Sequence, residues 1–164
     1  MKREVRFFVS YAHTNSAAAD DFLRRLREQL KPSLRYDYFL WRDTALLIGE
    51  DWEREIQEAL GESDFGLLLL SPAFLYSEYI AKAELPTLIA GPVMPVMIEA
   101  VSLLRHDMRG LSQKQIFALI PRQNRQGRAF ADCGTRDRRR FVEQLFEQIE
   151  LRLDKLLAGP TRSL

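Results

Sequence analysis

One short segment limits the possible folds of this chain more than any other. Residues 65–70 (FGLLLL) are almost entirely apolar, and Ser71-Pro72 ends the run at once. A strand with one wet face alternates apolar and polar residues, whereas a strand covered on both faces is continuously apolar. Coverage of both faces is typical of parallel sheets, whose strands are joined by helices. The segment therefore predicts a buried strand of a parallel α/β sheet.

The other strand candidates are short runs rich in β-branched and aromatic residues between polar stops. They are Val5 to Tyr11, Tyr36 to Trp41 and Val93 to Ile98, with Ile116 to Ile120 as a candidate fifth short strand. Since proline cannot donate to a ladder, Pro95 predicts a place near an edge of the sheet or at the start of a strand.

The segments between and after these strands have apolar residues at helical spacing. This spacing predicts helices over Ala17 to Leu30, from Trp52 to Leu60, over Ala73 to about Leu88 and over Asp137 to Leu157. Asn15 or Ser16 is expected to cap the first helix, and Pro86 to kink the third or split off its end. This alternation predicts a parallel sheet between helices.

Composition indicates one soluble domain, with its core at about residues 5–157 and a tail at 158–164. The chain has 164 residues, 46% of them hydrophobic, and a net charge of +1, so no overall charge draws it to nucleic acid or lipid. No apolar run approaches the ~20 residues of a membrane span, and no secretory signal follows Met1. The single Cys133 predicts a reducing, cytoplasmic environment, and with His13 and His106 it falls short of a zinc ligand set.

Ligands of open parallel sheets bind at the carboxyl ends of the strands. Here those ends lead into the loops Ser10 to Asn15, Trp41 to Gly49 and Ser71 to Ser77. No loop contains a GxGxxG or GxxxxGK[ST] motif, which argues against a dinucleotide-cofactor domain and a P-loop NTPase. A nucleotide substrate held in another way is compatible with the sequence.

The residues around these loops resemble successive motifs of a TIR (Toll/interleukin-1 receptor) domain of the bacterial kind. They are FFVSY at 7–11, WRD at 41–43 leading to IGEDWEREI at 48–56, LLLLSP at 67–72 leading to FLYSEY at 74–79, and ELP at 84–86. With the closing helix, the resemblance extends to about residue 157. It implies a flavodoxin-like α/β fold, a five-stranded parallel sheet with helices on both faces.

The resemblance also implies two functional kinds. Many TIR domains cleave the nicotinamide–ribose bond of NAD+, giving nicotinamide and ADP-ribose or a cyclic isomer, and others are assembly modules without catalysis. A glutamate after the Ser-Pro motif separates the two kinds, and the resemblance places it at Glu84, with Glu78 as the second candidate. We therefore expect a NAD+ nucleosidase, with NAD+ as substrate and no cofactor or metal.

One carboxylate is enough for this chemistry. A glycosidase needs a second carboxyl group to protonate its leaving alkoxide. In NAD+ the leaving group is a pyridinium that departs as neutral nicotinamide, so only the ribosyl oxocarbenium ion needs stabilisation. Glu84 would provide it by accepting hydrogen bonds from the ribose diol. The alternative is a solvated helix glutamate.

The expected substrate-binding residues come from the same loops and the same helix. They are Ser10, Tyr11, Ala12, His13, Trp41, Asp43 and Tyr79. Trp41 or Tyr79 could stack on the cationic nicotinamide ring, and His13 could hydrogen-bond a phosphate or ribose. The alternatives are core packing for Trp41, a solvated loop position for His13 and a cap or turn for Asp43.

Family resemblance further implies self-association or binding to other TIR-bearing chains, with the loop from Arg42 to Gly49 moving on assembly. We expect a cytoplasmic defence or toxin-like effector activated in this way. The alternative is a non-catalytic assembly module that binds through Trp41 to Trp52. A response regulator is disfavoured, because Ser10-Tyr11 stands where that class has an acidic pair.

An arginine cluster stands apart from these motifs. It consists of Arg122, Arg125, Arg128, Arg136, Arg138, Arg139 and Arg140. Such a cluster is typical of a surface for phosphate, nucleic acid or an acidic partner. We favour a solvated loop and helix start neutralised by Asp132, Asp137 and Glu143 over nucleic-acid binding.

Overall fold

The structure is a computed structural model that describes residues 1–42, 52–119 and 127–157. Its strands are β1 (Arg3–Ser10), β2 (Tyr36–Trp41), β3 (Phe65–Leu70) and β4 (Val93–Met97). They form one parallel sheet in the order β2-β1-β3-β4. The helices are α1 (Ser16–Leu30), α2 (Trp52–Glu62), α3 (Pro72–Tyr76), a π-helical turn (Ile80–Glu84), α4 (Leu85–Ile89) and α5 (Thr135–Leu157). The predicted α/β fold with a parallel sheet is confirmed.

Two apolar cores cover the two faces of the sheet. Along β1, Phe7 and Val9 face the core built with α1 and α5. Phe8, between them, faces the core built with α2, α3 and α4. All residues of β3 are buried, as the continuous apolar run predicts. The helices therefore lie on both faces, with the strand ends free to form a site.

The implied five-stranded sheet is wrong for the described residues, where the sheet has four strands. The candidate fifth strand makes one parallel bridge, from Phe117 to Val96. The Met97 amide donates to the Phe117 carbonyl at 2.9 Å, and the Phe117 amide donates to the Pro95 carbonyl at 2.9 Å. Leu119 then pairs antiparallel with Arg128. Because the chain changes partner after one bridge, no ladder builds up; Ile120 lies outside the described residues.

β4 is an edge strand, as Pro95 predicts. Pro95 has no amide hydrogen to offer a further strand. A guanidinium nitrogen of Arg152, from α5, donates to the Val93 carbonyl on the same strand. The edge is thus closed by the Phe117 bridge, the Arg152 side chain and a proline, which opposes pairing with another chain.

The helix predicted over Ala73 to about Leu88 is broken, as expected, but the first break lies at Ser77 and not at Pro86. Helix α3 ends at Tyr76, and Ser77 leaves the helical conformation with φ −67° and ψ 110°. The chain then continues through the π turn into α4, where Pro86 lies in the first turn. Proline lacks the amide hydrogen of the ladder, and its ring crowds the carbonyl four residues before it. A wider turn before Pro86 relieves that crowding.

Helices α1 and α5 are joined by a partly buried ionic cluster at Asp21. Arg138 of α5 donates to Asp21 at 2.7 Å, and Arg24 and Arg25 of α1 donate at 2.6 and 3.0 Å. Burial opposes ionisation of this carboxyl, but the three arginine hydrogen bonds outweigh it and hold its pKa below the usual value. The cluster therefore stabilises the fold only while Asp21 is ionised.

We expect Asp21→Asn to lower the free energy of unfolding at pH 7 by about 2 kcal/mol, because arginine donors lose their charged acceptor. A lowered native pKa adds stability above the unfolded-state pKa of about 3.9 and loses it as pH falls through the native value. The difference between the variant and the wild type should therefore shrink below about pH 4. Urea unfolding at pH 7 and pH 3 measures it, and an equal difference at both would contradict the assignment.

Candidate functional site

A buried serine–glutamate pair lies at the carboxyl edge of the sheet. Ser10 is the last residue of β1, and Glu84 is the last residue of the π turn. The Ser10 hydroxyl donates a hydrogen bond to Oε2 of Glu84. Connections leave β1 towards β2 on one side, and β3 and β4 lie on the other. The pair thus lies next to the point where the strand order reverses, which is where open α/β sheets bind ligands.

Glu84 is 5% exposed, so the solvated-helix alternative does not describe it. The second candidate, Glu78, has a side chain that is 69% exposed and forms ion pairs with Lys82 at 3.4 Å and Arg109 at 3.7 Å. Between the two carboxylates, the structure therefore favours Glu84 as a functional group. An ionisable side chain is rarely buried this far unless its burial has a role.

The π turn aims Glu84 inward. The Leu85 amide donates to the Ile80 carbonyl, five residues back, where an α-helix would bond four back. The turn thus contains one residue more than an α-turn, and the buried positions on both sides keep their helical phase. Tyr79 and Glu84, five residues apart, are placed as residues four apart would be in an α-helix. Such single π turns are frequent at functional sites.

Deleting Lys82 should convert the π turn into a regular α-turn without rotating the flanking helix faces. The side chain is exposed and its ion pair with Glu78 is solvated, so its loss costs little. We expect a folded chain with a Tm within a few degrees of the wild type. Deletion of the exposed Glu147 from the regular helix α5 is the control, since it rotates Ile149 and Leu153 out of the core and should cost several kcal/mol. Thermal unfolding followed by circular dichroism compares the two deletions. An equal loss of Tm in both would show that the π turn is not an α-turn with one extra residue.

The predicted substrate-binding residues in the loop after β1 lie on both faces of the sheet. Tyr11 is buried in the core with α1 and α5, and Ala12 in the core with α2 to α4. His13 is exposed in a short 3-10 turn, with its ring 6.0 Å from that of Tyr11. The structure thus brings Ser10 to Glu84, and places Tyr11 and Ala12 in the cores.

Trp41 and Tyr79 pack against the core built with α2, α3 and α4. Trp41 stacks on the buried Phe8, with centroids 5.0 Å apart and ring planes 23° apart, so it has the packing role foreseen as its alternative. Tyr79 is half-buried and directly precedes the π turn. Stacking of either ring on nicotinamide stays a prediction. Asp43 and the rest of the predicted moving loop after Arg42 lie outside the described residues.

A second polar group at this edge was missed by sequence reasoning. Ser71, at the end of β3, donates to Oδ1 of Asn15 at 2.6 Å, and Nδ2 of Asn15 donates to Oε1 of Glu99. Asn15 occupies the N-cap position of α1 but makes no capping hydrogen bond, so the predicted capping role of its side chain is wrong. The position of Glu99 directly after a predicted strand end was the signal that could have found it.

Two cavities lie elsewhere. A groove of about 670 Å³ runs between β4 and α5, lined among others by Met94, Phe117 and Ile149, and it includes none of the predicted site residues. A smaller one of about 300 Å³ is lined by Trp41 together with Phe39 and Glu62. Neither contains Glu84, whose carboxylate is occluded in the single chain.

The described part of the arginine cluster is largely neutralised within the fold. Asp137 pairs with Arg128 at 3.2 Å and with Arg140 at 3.8 Å, as foreseen. Arg138 instead pairs with Asp21 and stacks over the Phe130 ring at 4.7 Å. Arg122 and Arg125 lie outside the described residues. These contacts favour a structural role for the cluster.

Two features are absent from the described ranges. Those ranges contain no group of three or more His, Cys, Asp or Glu side chains arranged to hold a metal ion. Nor do they contain a helix with the length and apolar character that crossing a bilayer requires.

Comparison with known proteins identifies one family. The model of the TIR domain matches residues 7–134, a range that includes the second half of β1, the strands β2 to β4, and the residues Ser10, Glu84 and Glu99. None of the curated protein sequences compared with the chain matches it.

Proposed function

The chain belongs to the TIR domain family, and on that basis we propose that it is a NAD+ nucleosidase with Glu84 as its catalytic residue. The supporting observation is the carboxylate of Glu84, buried beside Ser10 where parallel sheets bind ligands. Burial of a carboxylate costs free energy. A buried carboxylate at the ligand-binding edge of the sheet is therefore a candidate for a functional role.

In the proposed reaction, the bond between ribose C1′ and the pyridinium nitrogen breaks and its electron pair leaves with nicotinamide. The positive charge that remains on the ribosyl group is stabilised by the Glu84 carboxylate, which accepts hydrogen bonds from the ribose hydroxyls. Water then adds to C1′ and loses a proton to solvent, giving ADP-ribose. An internal nucleophile of the substrate would give a cyclic isomer.

Ser10 is the positioning residue in this scheme. Its hydroxyl donates to Oε2 of Glu84 and so fixes the orientation of the carboxylate. We expect Ser10→Ala to lower kcat/KM for NAD+ by ~10-fold, because the carboxylate loses a donor that fixes its orientation. Ser10→Thr keeps a hydroxyl and should recover part of the loss. Full activity of Ser10→Ala would show that this hydrogen bond does not position Glu84.

The proposed activity depends on self-assembly. Glu84 is 5% exposed in the single chain, so a substrate reaches it only after a rearrangement, which contact with a second copy can stabilise. We propose that such assembly activates the chain as a defence or toxin-like effector that depletes NAD+. The same occlusion favours one second candidate, a non-catalytic assembly module in signalling.

A concentration series separates the two candidates. Purified chain is incubated with NAD+ at increasing protein concentration, with and without a crowding agent, and nicotinamide is measured by chromatography. The nucleosidase predicts release that rises more steeply than in proportion to protein. Self-association by light scattering without nicotinamide under any of these conditions would support the assembly module and overturn the enzymatic proposal.

A further inference from the structure

We propose that Glu99 binds the adenosine ribose of the substrate and excludes dinucleotides that carry a 2′-phosphate. This inference rests on the proposed cleavage of NAD+ and adds the substrate class that the same edge selects. It is carried by the hydrogen-bonded chain from Ser71 through Asn15 to Glu99, to which the proposed reaction assigns no role.

The chain of hydrogen bonds has a fixed direction. The Phe74 amide donates to Oγ of Ser71 at 2.9 Å, so the Ser71 hydroxyl hydrogen is directed to Oδ1 of Asn15. With its oxygen held there, the Asn15 amide presents Nδ2 to Glu99. Ser71 and Asn15 are both buried. Asn15 stands at the start of α1, but its side chain leaves the first amides of the helix uncapped and orients a carboxylate instead. This use of the side chain indicates that the carboxylate has a task.

Within the described ranges, the Glu99 carboxylate has no neighbouring cation to compensate its charge. Among the described residues, no Lys, Arg or His side chain forms an ion pair with it within 4.0 Å. Nδ2 of Asn15 donates to Oε1 of this carboxylate. The side chain is only half-buried. Oε2 can therefore accept a hydrogen bond from a ligand, and the charge acts on whatever approaches.

The position of Glu99 suits the far half of a dinucleotide. Glu99 follows β4, and β3 lies between β1 and β4 in the sheet. At ~4.8 Å per strand, the ends of β1 and β4 lie about 10 Å apart. With the scissile ribose at Glu84 beside β1, a pyrophosphate bridge reaches towards β4 and brings the adenosine ribose to Glu99. A carboxylate accepts hydrogen bonds from a ribose diol and repels a 2′-phosphate.

The test compares NAD+ with NADP+ as substrates of the whole chain. We expect the wild type to prefer NAD+ by ~100-fold in kcat/KM. Glu99→Gln keeps the size of the side chain and the acceptor for Asn15 but removes the charge, so it should lower this preference at least ~10-fold by improving use of NADP+. Glu28→Gln, an exposed carboxylate near the far end of α1, is the matched control and should leave the ratio unchanged.

A second readout needs no variant. If the exclusion is electrostatic, raising the salt concentration should lower the wild-type preference for NAD+, whereas a steric exclusion would not respond. An unchanged ratio in Glu99→Gln, or a wild type that uses both dinucleotides equally, overturns the inference while leaving the nucleosidase intact. If neither dinucleotide is cleaved, the proposed function fails. The affinities of the chain for NAD+ and NADP+, measured by calorimetry, then decide the inference about Glu99. Equal affinities, or no binding of either dinucleotide, would overturn that inference.

Discussion

Glu84→Gln is expected to abolish nicotinamide release, a loss of at least ~10³-fold, while the free energy of unfolding stays the same or rises. The amide has nearly the shape of the carboxylate but no negative charge, so it cannot stabilise the ribosyl cation. Removing a buried charge also removes its desolvation cost. Loss of activity with a gain of stability is the signature of a residue kept for function.

The measurement pairs a nicotinamide assay with urea unfolding of the same preparations. Glu78→Gln is the matched control, because it lies on the surface near the same turn and contributes only solvated ion pairs. It should change neither activity nor stability by much. A Glu84→Gln variant that loses several kcal/mol of stability would instead mark Glu84 as a structural residue.

Phe141→Ala is expected to cost about 4 kcal/mol of unfolding free energy. The ring is fully buried at the start of α5, with centroids 5.0 Å from Phe117, 5.5 Å from Phe130 and 6.1 Å from Phe22. These edge-to-face contacts join α5 to α1 and to the segments after β4. Truncation leaves a cavity among rigid rings that cannot collapse into it.

Chemical denaturation measures this loss, with Leu151→Ala as control. Leu151 lies on the same helix but is 62% exposed, so its truncation should change stability by less than about 0.5 kcal/mol. Similar losses in the two variants would contradict the packing account of α5.

The sequence predicted those parts of the fold in which local pattern and burial agree. The continuous apolar run of β3 and the spacing of α1 and α5 were sufficient, because burial on two faces leaves an unbroken apolar run and burial along one stripe leaves a helical period. The partner change at Phe117 and Leu119 was not predictable, since bridges between segments far apart in sequence have no local period.

Individual residues of the site were predicted from the sequence, but their long-range contacts were not. Resemblance singled out Glu84 and Ser10, which the structure brings together, but it could not show the π turn, because helical periodicity assumes 3.6 residues per turn. Asn15 was interpreted from its local position as a cap, whereas its side chain bonds Ser71 and Glu99, 56 and 84 residues away. Likewise, the partner of Arg138 is Asp21, on another helix. Such long-range pairs need the fold before they can be recognised.

The most direct test of the account is a time course of nicotinamide release from NAD+ by the wild type, Glu84→Gln and Glu78→Gln, at equal folded concentration under assembling conditions. We expect release by the wild type and by Glu78→Gln, and none above the uncatalysed background by Glu84→Gln. Turnover by Glu84→Gln at the wild-type rate would contradict the assignment of this carboxylate to the reaction.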